Sequence, residues 1–265
     1  MTIEAEDRDD LVRAVELLEN PSFIARVTDL IGQPVERLIS NLPTRASEKL
    51  QNSVRMTLHK LLDLSIHTMG GSQRNRARRL THKIAGGVSG AVGGFFGAPA
   101  LAIELPLTTT IILRSIADIA RSEGEILEDI DARLACLEVF ALGGRSKTDD
   151  GSETGYFAVR AALAKAVADA AKHIAERGLT SEGAPMIARF VAQIASRFSS
   201  VVSEKIATQA VPVIGAIGGA GINLLFVDHF QDMARGHFII RRLERTHGRE
   251  LVQREYQLLV DGRNR

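Results

Sequence analysis

Two short constellations in this chain could do chemistry. The first is Asp228, His229 and Asp232, with Arg235 three residues beyond. On a helix His229 and Asp232 fall on adjacent turns, as do Asp232 and Arg235. An imidazole between two carboxylates is the equipment of a hydrolytic site, in which a tuned base takes a proton from water or a hydroxyl. The second is Arg114, Asp118 and Arg121, where the acid stands four residues after one arginine and three before the other. That spacing allows ion pairing along one helix face on either side of the acid. Asp118-Ile119-Ala120-Arg121 and Asp232-Met233-Ala234-Arg235 repeat one pattern, an acid and an arginine three apart. Glu104, Arg114, Asp118, Arg121, Asp232 and Arg235 together read as the polar floor of a largely apolar cleft. Its arginines suit an anionic headgroup or a carboxylate, which a guanidinium can grip with two parallel hydrogen bonds.

Other chemistries find less. His229 and His237 are eight residues apart, roughly 80° around a helix, which is poor for joint metal ligation. No His-Glu-x-x-His occurs, and no metal site is expected. No glycine-rich run ends in Gly-Lys-Ser/Thr, and Gly87-Val88-Ser89-Gly90-Ala91 lacks the final glycine of a nucleophile elbow. No motif asks for a cofactor. Cys136, in Leu134-Ala135-Cys136-Leu137, reads as a small buried hydrophobe, and His59 and His67 as surface or packing residues.

The elements that must position these groups read as helices throughout, with no sustained alternation of apolar and polar residues. Apolar spacing predicts helices over about Ser47–Met69, over a stretch capped by Asp129 or Asp131 and ending near Leu142, over Tyr156–Arg177 and Ala184–Val202, and a basic helix or helix pair over Phe238–Val260. Each constellation follows a run without charge, residues 84–103 and 206–227. The runs are near the roughly 20 residues that span a bilayer, but the first holds six glycines and the second four. If helical, those glycines cost about 6 and about 4 kcal/mol against alanine. Gly86, Gly90 and Gly94, like Gly215 and Gly219, are spaced by four. The spacing lines one helix face with hydrogen atoms and favours close backbone packing. Pro99 and Pro106 argue against one continuous helix from the first run to Asp118. Before that run, Arg74, Arg76, Arg78, Arg79 and Lys83 form a basic stretch with no acid. It is either a solvated helix face or a collar for anionic lipid headgroups.

The 265 residues carry a net charge of +1, 5% aromatic residues and no Trp, so neither a global field nor a stacking platform points to nucleic acid. One cysteine excludes an intramolecular disulfide. The acidic, amphipathic start, MTIEAEDRDDLVRAVELLEN, lacks the character of a signal peptide, and a cytoplasmic location or the cytoplasmic face of a membrane is expected. The polar stretch 145–154 divides a single domain, 1–265, into halves 1–144 and 155–265.

Four blocks carry a resemblance. Gly93–Glu125 (GGFFGAPALAIELPLTTTIILRSIADIARSEGE), Asp131–Gly144 (DARLACLEVFALGG), Ala210–Arg245 (AVPVIGAIGGAGINLLFVDHFQDMARGHFIIRRLER) and Asn20–Pro43 (NPSFIARVTDLIGQPVERLISNLP) together resemble the EcsC family. The resemblance spans roughly residues 15–250. It implies a bacterial protein with a link to transport or the cell envelope, and brings no catalytic residues to carry over.

The sequence therefore predicts an all-α multi-helix bundle with two central glycine-rich segments that form a pseudo-repeat. The leading expectation is a non-enzymatic protein that meets a lipid or membrane surface, or binds an apolar ligand, and partners a membrane transporter. Its motives are the glycine-rich apolar segments, the basic collar and the basic C-terminal helix. The rival is a hydrolase centred on Asp228, His229 and Asp232. A purely structural transporter partner is the third. Ligand and oligomeric state are left open.

Overall fold

The computed structural model describes residues 3–19, 23, 26, 27, 44–68, 98–144, 155–179, 185–209 and 219–263; the side chains at 44–49, 68, 98–104, 207, 209, 219 and 220 lie outside the description. Among the described residues the chain is all helix: α1 (Ala5–Leu18), α2 (Thr44–Thr68), α3 (Ala98–Ser122), α4 (Ile130–Leu142), α5 (Tyr156–Arg177), α6 (Pro185–Gln209), α7 (Gly219–His247) and α8 (Arg249–Arg263). None of the described helices is long and apolar enough to cross a membrane.

Local chemistry accounts for most boundaries. Gly143 follows α4 and Gly178 follows α5. Asp129 precedes α4, but its carboxylate makes no capping hydrogen bond, so that expected cap is present in place and not in function. The basic C-terminal stretch is two helices, parted at Gly248, whose φ of 85° suits a residue without Cβ. Phe238 lies inside α7, not at a helix start, because nothing between Asp228 and Phe238 interrupts the ladder. Pro106, expected to break the first segment, sits inside α3. Thr109 Oγ1 donates to the Leu105 carbonyl (2.6 Å) and Thr110 Oγ1 to the Pro106 carbonyl (2.7 Å). Pro99 falls in the first turn, where the missing N–H has no partner to lose.

The core is aromatic. Phe23, Phe140, Phe190, Phe198, Phe226, Phe230 and Phe238 are fully buried. Phe140 packs on Phe198 at 5.0 Å between ring centroids, Phe226 on Phe230 at 5.2 Å, and Phe23 on Phe226 at 5.5 Å. Such edge and tilted pairs add about 0.5–1.5 kcal/mol each beyond area burial. A smaller cluster joins Leu11 and Val15 of α1 to Ile240 and Leu243 of α7 and Val252 and Tyr256 of α8. Arg133 closes another seam: its guanidinium donates to the carbonyls of Ile66 (2.7 Å), Leu127 (2.5 Å) and Glu128 (2.9 Å), tying the end of α2 to the turn before α4.

α7 is the organising helix. α1 runs antiparallel along it, with Gly236 at the contact. A Cβ there would lie 2.5 Å from Leu18 Cγ and 3.2 Å from the Ala14 carbonyl oxygen. α3 runs parallel to α7. Gln231 Nε2 donates to Ser115 Oγ (2.8 Å) and, ten residues further along each segment, Arg241 Nε donates to Oε1 of Glu125 in the turn just past α3 (2.8 Å). The two acid–arginine pairs therefore lie side by side at nearly the same height.

Candidate functional site

A half-open cleft of about 460 Å³ lies between α3 and α7, lined by Ile111, Arg114, Ser115, Asp118, Ile119, Ser122, Gln231 and Arg235. The six α3 residues follow helical spacing and share one face. Of the expected polar floor, Arg114, Asp118 and Arg235 line this cleft, with Arg121 and Asp232 paired at its edges. Asp118 was positioned to pair with Arg114 or with Arg121, and it takes Arg121, whose Nη1 donates to its Oδ1 at 2.9 Å. Arg114 has no ion-pair partner among the described residues. Glu104 belongs to α3, but its side chain lies outside the description.

Asp232 is bridged from two sides. Arg235 Nη1 donates to Oδ1 at 3.0 Å, and Arg26 Nη1 donates to Oδ2 at 2.9 Å. Arg235 Nη2 also reaches Gln231 Oε1 (3.4 Å), so its guanidinium is drawn back to the level of Gln231 and Ser115. Arg26 was not foreseen, since the partner of an acid 206 residues away leaves no local signal.

His229 is buried, and its Nε2 lies 3.0 Å from the Gly143 carbonyl oxygen. A carbonyl only accepts, so Nε2 carries the proton and Nδ1 is the bare nitrogen. Among the described residues Nδ1 has no hydrogen-bond partner. Burial pushes the imidazole down to about 4, with the Gly143 carbonyl opposing. Gly143 permits this approach: a Cβ there would stand 2.6 Å from His229 Nε2. Asp228, by contrast, is exposed. No hydrogen bond joins Asp228 or Asp232 to the His229 ring among the described residues. Among those residues, no group of three or more His, Cys, Asp or Glu side chains is placed to hold a metal.

A second polar assembly, buried between α4, α5, α7 and α8, was not read from sequence. Tyr156 Oη and His237 Nδ1 are 2.9 Å apart, both buried. Arg160 donates to both oxygens of Glu244 (2.8 and 2.9 Å) and lies over the Tyr156 and Phe157 rings. Tyr256 Oη donates to Glu19 Oε1 at 2.7 Å. Glu138 is buried and receives no hydrogen bond from any described residue. Burial raises its carboxyl to about 7, against the pull of Arg160, Arg241 and Arg249. The available signal was Glu138 itself, the one charge in Leu134–Leu142. Cys136 is buried in the same helix, its thiol pushed up to about 12 by burial, as expected of a core residue.

Arg74, Arg76, Arg78, Arg79, Lys83, Gly86, Gly90, Gly94 and Gly215, and the stretch 145–154, lie outside the described residues. Gly219 opens α7. The glycines that make close contacts among the described residues are Gly143, Gly144 and Gly236.

The model of the EcsC protein family matches residues 11–243. No curated protein and no solved structure matches the chain.

Proposed function

The chain belongs to the EcsC family, and from that premise we propose that it is a non-enzymatic, membrane-associated protein that binds an anionic amphiphile between α3 and α7. The observation that carries this reading is the pair of arginines, Arg114 and Arg235, in one half-open cleft with isoleucines 111 and 119. Arg114 has no ion-pair partner among the described residues, and an anion would give it one. The same helix faces continue as a mainly apolar shelf, with the exposed Asp228 at its α7 edge. Leu107 lies one turn before Ile111, and Val227 and Leu224 lie one and two turns before Gln231, with Leu224 64% exposed. Headgroup at the arginines and alkyl chain along the shelf satisfy both. A link to a membrane transporter belongs to the same proposal and rests on the family alone.

The hydrolase alternative draws less support from the geometry. His229 is held neutral in the core with its N–H on the Gly143 carbonyl, Asp232 accepts from two arginines, and Asp228 faces solvent.

The test is binding of oleate and of lysophosphatidic acid to the detergent-free protein, by calorimetry, with Arg114→Ala and Arg235→Ala beside the wild type. Each substitution removes a charge-assisted hydrogen bond worth about 1.5–3 kcal/mol, so roughly tenfold weaker binding or more is expected. Equal affinity in all three proteins, or no binding by the wild type, removes the cleft as the site.

A further inference from the structure

The cleft is ordered along its length in a way that specifies more than an anion. The Ser115–Gln231 and Glu125–Arg241 bonds fix α3 and α7 as parallel neighbours, so positions on the two helices share a common height. At the N-terminal end stand Leu107, Ile111, Val227 and the exposed Leu224, with the exposed Asp228 beside them on α7. Next come Arg114 and the guanidinium of Arg235, which its bonds to Asp232 and Gln231 hold near the Ser115 level. One turn further on is Asp118, about 6 Å from Arg114 along the helix axis. Its Oδ1 accepts from Arg121, and its Oδ2 accepts no hydrogen bond among the described residues. Along α3 the order is apolar, cationic, anionic.

We propose that the ligand is a zwitterionic amphiphile in which a phosphodiester stands between the alkyl chain and a terminal primary ammonium, as in a phosphoethanolamine lipid. This deepens the reading above and rests on it. The phosphodiester lies at Arg114 and Arg235, with Ser115 beside it. The ammonium lies at Asp118 Oδ2, where Ser122, also lining the cleft, offers a hydroxyl oxygen. The chain follows Ile111 towards Leu107 and Leu224. Asp118 also discriminates by repulsion: a headgroup whose outer end is anionic faces it with like charge. Because Asp118 is 78% exposed, its contribution is that of a surface ion pair.

The experiment titrates the full chain with lysophosphatidylethanolamine, with the same lipid N-acetylated, and with free phosphoethanolamine. Acetylation keeps the phosphodiester charge and removes the ammonium. In the wild type it is expected to weaken binding about threefold, the size of an exposed ion pair. In Asp118→Asn the two lysolipids are expected to bind alike. That variant keeps its fold, since the side chain is exposed, and its circular dichroism should match the wild type. Free phosphoethanolamine is expected to bind far more weakly than the lysolipid, for want of the chain. Equal binding of both lysolipids to the wild type overturns the ammonium assignment and leaves the anion cleft standing. A preference that persists in Asp118→Asn overturns the role of that residue. Free phosphoethanolamine binding as tightly as the lysolipid overturns the amphiphile. No binding of any probe overturns both this inference and the cleft beneath it.

Discussion

Replacing Glu138 by Gln should stabilise the protein in a strongly pH-dependent way. Glu138 is buried in α4, and its carboxyl rises from 4.5 to about 7 on folding because burial penalises the anion. Arg160 of α5, Arg241 of α7 and Arg249 of α8 pull it down, and Asp131 of α4 pushes it up, so the value already contains the charges around it. A carboxyl raised on folding supports the native state while protonated. That support is complete below 4.5 and is withdrawn as pH rises through about 7. The gap between the two values corresponds to about 3 kcal/mol at most. Glutamine keeps the shape and never ionises. Urea unfolding at pH 5, 6.5 and 8 isolates the effect. At pH 5 wild type and variant should differ little. By pH 8 the variant should gain up to about 3 kcal/mol on the wild type, read as a higher midpoint at unchanged slope. A midpoint difference that is constant across pH, or a variant that loses ground as pH rises, would refute the burial argument.

Three further outcomes follow from the same geometry. His229 is depressed to about 4 from 6.5, so it supports the fold when neutral, and that support is lost as pH falls from about 6.5 towards 4, by about 3 kcal/mol at most. Its slope opposes that of Glu138 over part of this range; His229→Gln measured in the Glu138→Gln background should flatten part of the acid side of the stability profile, with His237 and, at lower pH, the depressed carboxyls of Asp7 and Glu125 supplying what remains. Arg160→Met should cost about 1.5–3 kcal/mol by taking the charge-assisted partner from the part-buried Glu244, while Arg160→Met with Glu244→Met should recover much of the loss in a double-mutant cycle. Gly236→Ala should destabilise by about 1–3 kcal/mol despite alanine's better helix propensity, because its methyl meets Leu18 Cγ and the Ala14 carbonyl; thermal unfolding reads it directly.

What the sequence made legible was local. Helices, the Gly143 and Gly178 stops and the burial of Cys136 follow from periodicity and residue type. Two of the expected acid–arginine pairs, Asp118–Arg121 and Asp232–Arg235, form because residues three apart meet on any helix. What it concealed was relative placement. Nothing in the chain announces that Arg26 completes Asp232, that α3 and α7 run parallel, or that His237 faces Tyr156. Those contacts depend on which helix faces meet, and periodicity constrains each face only against its own helix. Pro106 misled for a related reason, since its missing N–H removes one backbone bond, to the Ala102 carbonyl, and the rest of the 25-residue helix carries through it.

The charges at the two ends of the described chain show how far placement alters function. The basic stretch after Phe238 supported a membrane role when read alone. In the fold, Arg241 and Arg245 bond Glu125, Arg242 bonds Glu123, Asp7 and Asp10, and His247 bonds Asp7. The acidic start and the basic end are two halves of one closure. Asp7 sits in the first turn of α1 and Arg245 and His247 in the last turn of α7, where each complements the dipole of its own helix. These arginines are engaged inside the molecule, and an anionic surface would have to compete with several carboxylates to reach them. Arg114 in the cleft has no such competitor among the described residues, so an anionic headgroup meets it more readily than the arginines at the end of α7. If that reasoning holds, Arg242→Ala should lower stability and leave lysolipid affinity unchanged, whereas Arg114→Ala should weaken lysolipid binding with little effect on the unfolding midpoint. A loss of binding that tracks Arg242 would return the interaction to the C-terminal face.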